Sequence, residues 1–185
     1  MEKIRCGWCE KDDLYRKYHD EEWGRPVYDD ETIFEFLILE SFQAGLSWYT
    51  ILAKRENFRK AFDQFDYKKI AAYSQSKIEE LMNNPGIIRN RLKISATITN
   101  AQKFIEIQNE FGSFSQYIWG FVNGTPIDNR PKALSDVPAT TRISDIISKD
   151  LKKRGFKFMG STVVYAHMQA TGMVNDHLES CFIRN

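Results

Sequence analysis

The sequence has few cysteines, almost no net charge and no long apolar run. None of its apolar stretches approaches the ~20 residues of a membrane-spanning helix, and its first residues lack the apolar stretch of a signal peptide. Its three cysteines are too few for a disulfide framework, and an odd number without a secretion signal is typical of a reducing, intracellular compartment. A membrane protein and a small disulfide-rich secreted protein are therefore both disfavoured.

The length of 185 residues predicts one domain, or two small lobes that share a core. A formal net charge of +1 gives no general indication of nucleic-acid binding, although a local basic patch is sufficient for phosphate contacts. Aromatic residues make up 14% of the chain, which indicates either a dense core or a site where a flat ligand stacks.

The apolar spacing is helical almost throughout, so the sequence predicts an all-α fold. Capping residues and helix breakers bound each segment. The predicted helices begin at Asp29 or Asp30, at Ser47, at Ser76 in a capping-box pattern, near residue 88, at Ser144 and near residue 161. The fifth of these carries Ile146, Ile147 and Leu151 and is expected to end at Gly155. Residues 123–138 are expected to form a loop, and the best strand signal, at 163–165, is weak.

Two pairs of metal-ligand residues lie near opposite ends of the chain. Cys6 and His19 form the first pair, and His177 and Cys181, which one turn of helix would bring together, form the second. They make a Cys₂His₂ set, the ligand mix of a closed zinc site. Cys9 forms a CxxC with Cys6, so it is a fifth possible ligand or one half of a redox pair. Spacing alone leaves a zinc site and ordinary scattered residues equally open.

The turn at residues 84–86 precedes the longest predicted helix. Gly86 would let the backbone approach a ligand, and the following helix offers free N–H groups to an anion. Arg89, Arg91 and Lys93 come directly after it, and this combination suits one DNA phosphate. On the residues alone, a plain turn between two helices with a solvated basic face is the favoured interpretation.

Aromatic residues and one carboxylate define a possible pocket. Glu40 follows a run of apolar residues and has Phe36 and Leu37 as its neighbours on the helix surface, so it is expected to be buried. Aromatic faces with one buried acid suit a flat polar or cationic ring. The alternative is that the aromatics are core and Glu40 is solvated. The aromatic residues are Trp8, Tyr15, Tyr18, Trp23 and Trp48, of which the two tyrosines share a helix face.

Five segments carry long motifs in a fixed order. They are RCGW (5–8), YHDEEWG (18–24), LESFQAGLSW (39–48), KKRGFKF (152–158) and VNDH (174–177). From Cys6 to Cys181 the chain resembles the 3-methyladenine DNA glycosylase I family, the bacterial Tag family of the helix-hairpin-helix superfamily. Motifs of this length are specific, because chance matches are confined to shorter patterns.

The resemblance implies a helix-hairpin-helix fold with a structural zinc that joins the two ends of a single domain. One lobe would span about residues 29–125, and a zinc-linked lobe would combine about 1–28 with 126–185. The implied zinc ligands are Cys6, His19, His177 and Cys181, and Cys9 departs from the family pattern. The implied setting is the bacterial cytoplasm, and the implied assembly is a monomer.

The implied reaction is hydrolysis of the N-glycosidic bond of 3-methyladenine in double-stranded DNA, without a lyase step, to release the free base. Glu40 would accept hydrogen bonds from the base, and Trp48 and Tyr15 would stack on it. Tyr18 would add a polar contact, and Leu46 would fill the gap in the duplex. Trp8 and Trp23 would complete the pocket, while Gly86, Arg89, Arg91 and Lys93 would bind DNA.

One absence agrees with this family. Related glycosylases carry a catalytic Asp on the long helix after the hairpin, whereas the acids between Lys93 and Gly112 are Glu106 and Glu110. Two rival classes are a zinc-stabilised DNA-binding module without catalysis, and a zinc hydrolase that uses Glu40 as its base. The first needs no pocket with a buried acid, and the second needs an open metal position.

Overall fold

A computed structural model describes residues 3–184, and the prediction of a mostly helical fold is confirmed. The helices are α1 (Asp13–Glu21), α2 (Asp30–Gln43), α3 (Trp48–Ala53), α4 (Arg55–Ala61), α5 (Tyr67–Ala71), α6 (Gln75–Met82), α7 (Arg91–Phe111), α8 (Phe114–Gly120), α9 (Arg142–Lys153) and α10 (Ser161–Ala170). Two short strands, β1 (Ile127–Asp128) and β2 (Val174–Asn175), pair in parallel. Within residues 3–184, no helix has both the length and the apolar character of a membrane span.

Side-chain caps decide where the helices begin. Asp29 and Ser47 cap α2 and α3 as predicted, each accepting a hydrogen bond from a backbone N–H of the first turn. The predicted cap of α6 at Ser76 is wrong, because Ser74 Oγ accepts from the backbone instead. The predicted start of α9 is also displaced. Thr141 is its cap, and Ser144 Oγ accepts from the Thr141 N–H as the second member of a capping box.

Helix α2 lies at the centre of the core and packs against α7, α8 and α10. Its predicted apolar face is buried, including Ile33 and Phe34. On α9, Ile147 is buried, whereas Ile146 is 48% exposed. One helical residue turns the side chain by about 100°, which takes Ile146 off the apolar face. The weak strand signal at 163–165 lies inside α10.

The N-terminal and C-terminal segments pack closely against each other. Gly24 N donates to Gln169 O, and Phe182 N donates to Ile4 O. Gly172, at φ +68°, lies so close to the backbone at residues 25–26 that a Cβ on it would lie 2.3 Å from Arg25 C. A glycine is therefore required at this crossing. The main core combines residues of both predicted lobes, and the division into two lobes stays a prediction.

Candidate functional site

The six residues predicted to form a pocket line one cavity of about 310 Å³. This volume lies at the lower end of the range for small-molecule sites, ~300–1,000 Å³. A short 3₁₀ turn at Gly7–Cys9, helix α1 and the turn that follows it, and helices α2 and α3 supply them. They are Trp8, Tyr15, Tyr18, Trp23, Glu40 and Trp48.

Helix α1 sets the aromatic wall. Asp12 caps this helix by accepting from Tyr15 N at 2.9 Å, and the spacing of three residues places Tyr15 and Tyr18 on one face. The Trp8 ring packs edge-on against Tyr15 at 4.9 Å between centroids, and the Tyr18 ring lies 5.4 Å from Trp48. These contacts pack the rings against one another where they line the cavity, and such a wall suits a flat ligand.

Glu40 projects from α2 into this cavity and is only 3% exposed. Its Oε2 atom has no hydrogen-bond partner within residues 3–184, and neither does the indole Nε1 of Trp48. Burial raises the pKa of the Glu40 carboxyl well above its usual range. An unsatisfied buried polar atom is costly, so two such atoms in one cavity indicate a ligand that supplies their partners.

The cavity holds a second carboxylate, which corrects the expectation of one. Asp176 is 1% exposed, and its oxygens accept from Tyr165 Oη at 2.7 Å, Gln169 Nε2 at 2.9 Å and Asn129 Nδ2 at 2.7 Å. Unlike Glu40, it is fully satisfied by the fold. Sequence reasoning also missed Gln43, Leu134, Val137, Ala166 and Gln169.

Only some of these missed residues carried a signal. Gln43 lies one turn after Glu40 on α2, so helical spacing could have placed it at the pocket. Asp176 precedes a predicted metal ligand in the motif at 174–177. Leu134 and Val137 come from a loop whose course the sequence does not determine.

Leu46 lies on a tight turn that follows α2. Leu46 N donates to Gln43 O at 2.6 Å. Ala44 has φ −47° and ψ 115°, and Gly45 has φ +81°, which together make a type II turn. Leu46 is 40% exposed and borders a second cavity of about 210 Å³, which shares Glu40 and Gln43 with the first.

The predicted DNA-contacting residues lie in different environments. Arg89 is exposed on the connection between α6 and α7, whereas Arg91 pairs with Glu79 at 2.7 Å. Gly86 N already donates to Asn84 Oδ1 at 2.8 Å. Gly86 and Arg91 are therefore engaged within the protein.

Lys93 requires a correction. It is 6% exposed, and its Nζ atom donates to Phe42 O at 2.8 Å and to Ala44 O at 2.7 Å. The ammonium group is thus directed into the protein and is not presented to a phosphate. The sequence placed it with the exposed basic residues because charge alone does not indicate which way a lysine points.

The four predicted metal ligands converge although they lie at opposite ends of the chain. The ligand atoms of Cys6, His19, His177 and Cys181 all lie within 4.8 Å of one another, and all four residues are buried. Cys181 Sγ lies 3.6 Å from His19 Nε2 and 3.7 Å from His177 Nδ1. A tetrahedral zinc ion would separate sulfur and nitrogen ligands by about 3.6 Å. The cluster could therefore hold a metal ion.

The groups around the cluster orient both histidines as ligands. His177 Nε2 donates to Trp23 O at 2.9 Å, and His19 Nδ1 donates to Asp20 Oδ1 at 2.8 Å. Each ring therefore turns its other nitrogen, unprotonated, toward the cluster. Burial lowers the pKa of His177 to about 4, which keeps the ring neutral. Cys9 Sγ donates to Cys6 O at 3.1 Å and takes no part in the cluster.

Comparison with known proteins places these features in a family. The family model described as methyladenine glycosylase matches residues 8–184. DNA-3-methyladenine glycosylase 1 of Escherichia coli (strain K12) is 49% identical over 96% of this chain and 95% of its own length. The corresponding DNA-3-methyladenine glycosylase of Haemophilus influenzae is 48% identical over 96% of each chain.

Solved structures resemble the whole chain. A crystal structure of 3-methyladenine DNA glycosylase I (TAG) superimposes with a TM-score of 0.94 at 48% identity, over 97% of this chain and 98% of its own. A structure of TAG from Staphylococcus aureus, described as showing the basis of 3-methyladenine recognition, gives a TM-score of 0.94 at 39% identity, over 98% and 96% of the two chains.

Proposed function

Because the chain belongs to the methyladenine glycosylase family, whose members hydrolyse N-glycosyl bonds, we propose that it excises 3-methyladenine from alkylated double-stranded DNA. The damaged nucleotide flips out of the duplex into the aromatic pocket, and the bond is hydrolysed without a lyase step. The observation that carries the proposal is the unpaired, buried Glu40 among tryptophan and tyrosine rings.

Charge complementarity explains why this pocket suits an alkylated base. Methylation at N3 makes adenine cationic and therefore a good leaving group. Burial in the pocket disfavours the Glu40 anion through desolvation. A cationic base would favour the anion again, because an opposite charge at close range stabilises the ionised carboxylate. A neutral base would leave Glu40 uncompensated, so the pocket selects for the damaged purine.

Stacking supplies most of the remaining binding energy. Extraction of a nucleotide from the duplex costs a few kcal/mol, least for a damaged base, and each base–aromatic stack contributes ~1–3 kcal/mol. Trp48 and Tyr15 are the proposed stacking walls and Tyr18 the polar contact. Trp8 and Trp23 complete the pocket, with their ring centroids 5.0 Å apart.

The long helix α7 offers no acid to the pocket, which supports a mechanism without a catalytic aspartate. Glu106 pairs with Lys103 at 2.8 Å, and Glu110 pairs with Arg154 at 2.7 Å. Neither lines the cavity. Leaving-group activation by the methyl group lowers the demand on the protein, whose tasks are extraction, orientation and charge stabilisation.

The elements α6 and α7, with their connection at 83–90, form the proposed DNA hairpin. Arg89 contacts a phosphate there, and Gly86 and Arg91 contribute after exchanging their present partners. Leu46 enters the duplex where the flipped base has left. We further propose that the Cys₂His₂ cluster binds zinc. When bound, the ion stabilises the fold, and its four protein ligands leave no position for water activation. A monomer and a cytoplasmic location stay predictions.

The direct test is chromatography of the bases released from methylated DNA by the wild-type protein and by a Glu40→Ala variant. We expect release of 3-methyladenine by the wild type and a large loss in the variant, with thermal unfolding showing that both are folded. Equal release by the two proteins would remove Glu40 from the site, and no release by the wild type would overturn the proposed function.

A further inference from the structure

Lys93 stands out because it is a buried cation that the proposed reaction does not use. Its ammonium group donates to the carbonyl oxygens of Phe42 and Ala44. The residue lies in the first turn of α7, next to the proposed DNA hairpin, while both acceptors lie at the end of α2, next to the proposed wedge. One side chain thus connects the two segments that approach DNA.

The two carbonyl groups have different roles. Phe42 O belongs to the last turn of α2, where a cation commonly satisfies the free carbonyls of a helix end. Ala44 O lies outside the helix and belongs to the central peptide of the type II turn at 43–46. In a type I turn, ψ of the residue before this peptide is about −30° instead of +120°, which rotates the carbonyl to the opposite side. The hydrogen bond from Lys93 therefore favours the type II turn specifically.

Gly45 favours the same turn through its own backbone conformation. Its φ of +81° is a conformation that side-chain-bearing residues rarely adopt, although a Cβ there would meet nothing within 4 Å. The glycine is thus required by the backbone conformation and not by space. This turn decides where Leu46, exposed at its end, is directed.

We propose that Lys93 is a positioning residue that fixes the turn at 43–46, so that Leu46 is presented to the gap left by the flipped nucleotide. The inference rests on the proposed function. It replaces the prediction that Lys93 contacts a DNA phosphate. It also differs from a purely structural role, because the effect on DNA must pass through Leu46.

The first measurement compares Lys93→Met with the wild type on two ligands. These are a duplex that contains a tetrahydrofuran abasic-site analogue and free 3-methyladenine, which is followed by tryptophan fluorescence. Loss of a charged hydrogen bond predicts about tenfold weaker duplex binding, whereas free-base affinity should change by less than about twofold. A parallel loss for both ligands would overturn the proposal, because it would indicate general damage to the fold.

The second measurement is the dependence of duplex affinity on salt. Removal of a phosphate contact lowers the slope of log K against log salt by about one. Lys93→Met should leave the slope at the wild-type value, and Arg89→Met, at the exposed arginine nearby, should lower it. A lowered slope for Lys93→Met would restore the phosphate contact and refute the positioning role.

The third measurement is a double-mutant cycle with Leu46→Gly. If Lys93 acts through Leu46, then Lys93→Met should weaken duplex binding by less than about twofold in the Leu46→Gly background. Full additivity would overturn the proposal. Should Lys93→Met fail to fold, Gly45→Ala is the second variant, because it disturbs the same turn. It should show the same pattern on all three measurements. Additivity of Gly45→Ala with Leu46→Gly would also overturn the proposal.

The failure of this inference is distinguishable from failure of the proposed function. A wild-type protein that releases 3-methyladenine while the cycle is additive retains the function and loses only the role of Lys93. A wild-type protein that releases no 3-methyladenine loses both.

Discussion

Glu40 carries a carboxylate into a wall of aromatic rings, and the fold gives its Oε2 atom no partner within residues 3–184. A native protein retains such an atom at a cost in stability, since a buried polar group without a hydrogen bond is destabilising. Its neighbour in the cavity, Asp176, accepts three hydrogen bonds and bears no such cost. The contrast between the two acids indicates that Glu40, and not Asp176, is the carboxylate that binds a ligand.

The proposed catalytic role of Glu40 can be tested against the other acids by a pair of charge-removing substitutions. Glu40→Gln keeps the shape of the side chain but removes the charge that would stabilise the cationic base. We expect single-turnover release of 3-methyladenine to fall about 100-fold, the scale of losing one electrostatic stabiliser.

Glu106→Gln is the matched control, because Glu106 lies on α7, outside the cavity, in an exposed pair with Lys103. Such pairs contribute little, so excision should change by less than about twofold. Similar losses in the two variants would show that the assignment of Glu40 is wrong.

The same residue predicts a dependence of stability on pH. Burial raises the pKa of Glu40 in the folded protein, so the unfolded chain releases this proton at a lower pH than the folded chain. The wild type therefore loses stability as pH rises above the ordinary range of a glutamate. Glu40→Gln should therefore be more stable than the wild type at pH 8 and should have the higher Tm.

Thermal unfolding of both proteins from pH 5 to pH 8 measures this effect. The difference in Tm should widen with pH, since the histidines and cysteines titrate alike in the two proteins and cancel. A difference that stays constant, or a variant that is the less stable at pH 8, would contradict burial of an unpaired carboxyl.

At the scale of single residues, the helical register and the motifs were sufficient to find Glu40 and the five aromatic residues of the pocket. They could not find that Glu40 is unpaired, because that depends on which distant donors reach it. Lys93 was misassigned for the same reason. From the sequence, a lysine at the start of a helix is interpreted as a surface cation. Only the carbonyl groups at the end of α2, which accept from its Nζ atom, show that it points inward.

At the scale of elements, the turn between α2 and α3 is the part of the site most dependent on local conformation. Its glycine permits φ +81°, its central carbonyl is bound by Lys93, and its last residue is the exposed Leu46. The turn thus presents an apolar side chain to solvent from a hydrogen-bonded backbone, as a wedge into a base stack requires.

Leu46→Gly tests the wedge. Burial of a leucine side chain contributes ~1.5–3 kcal/mol, so we expect affinity for the abasic-analogue duplex to fall about tenfold or more. Ile146→Ala is a matched control, because Ile146 is also an exposed apolar side chain but lies on α9, away from both cavities. Unchanged affinity in Leu46→Gly would exclude the wedge role.

Element boundaries were less predictable than element types. The sequence predicted helices where α2, α3, α6, α7, α9 and α10 lie, because apolar periodicity persists over each of them. It placed the start of α6 at Ser76 instead of Ser74 and the start of α9 at Ser144 instead of Thr141. Serine and threonine hydroxyls both cap helices, so the sequence does not distinguish between them. The parallel pairing of β1 with β2 was invisible, because two-residue strands carry no periodic signal.

At the scale of the whole molecule, the Cys₂His₂ cluster connects segments at opposite ends of the sequence and adjoins the pocket. Trp23 O accepts from His177, and Trp8 packs against His19 with ring centroids 5.3 Å apart. The pocket wall is therefore supported directly by the cluster. Residue spacing alone left zinc and scattered residues equally open, and the family resemblance named the four ligands. Only the fold could show that the two pairs come together.

Metal analysis and thermal unfolding test the cluster. Protein purified without chelators should contain about one zinc ion per chain. Cys181→Ser should lower the metal content and reduce Tm by about 10 °C, the scale of losing a structural metal ligand in a chain of this length.

Cys9→Ser is the matched control, because Cys9 is as buried as Cys181 but lies outside the cluster. Its metal content should equal that of the wild type. Metal-free wild-type protein, or an equal loss of metal in the two cysteine variants, would refute the proposed zinc site.

The packing of the N-terminal segment against residues 169–182 also bears on biosynthesis. Trp23 leaves the ribosome long before His177, which binds its carbonyl oxygen, and Gly24 leaves it long before Gln169, whose carbonyl oxygen accepts from the Gly24 N–H. At ~5–20 residues per second, the delay is on the order of ten seconds. A nascent chain therefore has no finished base-binding surface, and activity begins only when translation has supplied the partners that lie farthest along the message.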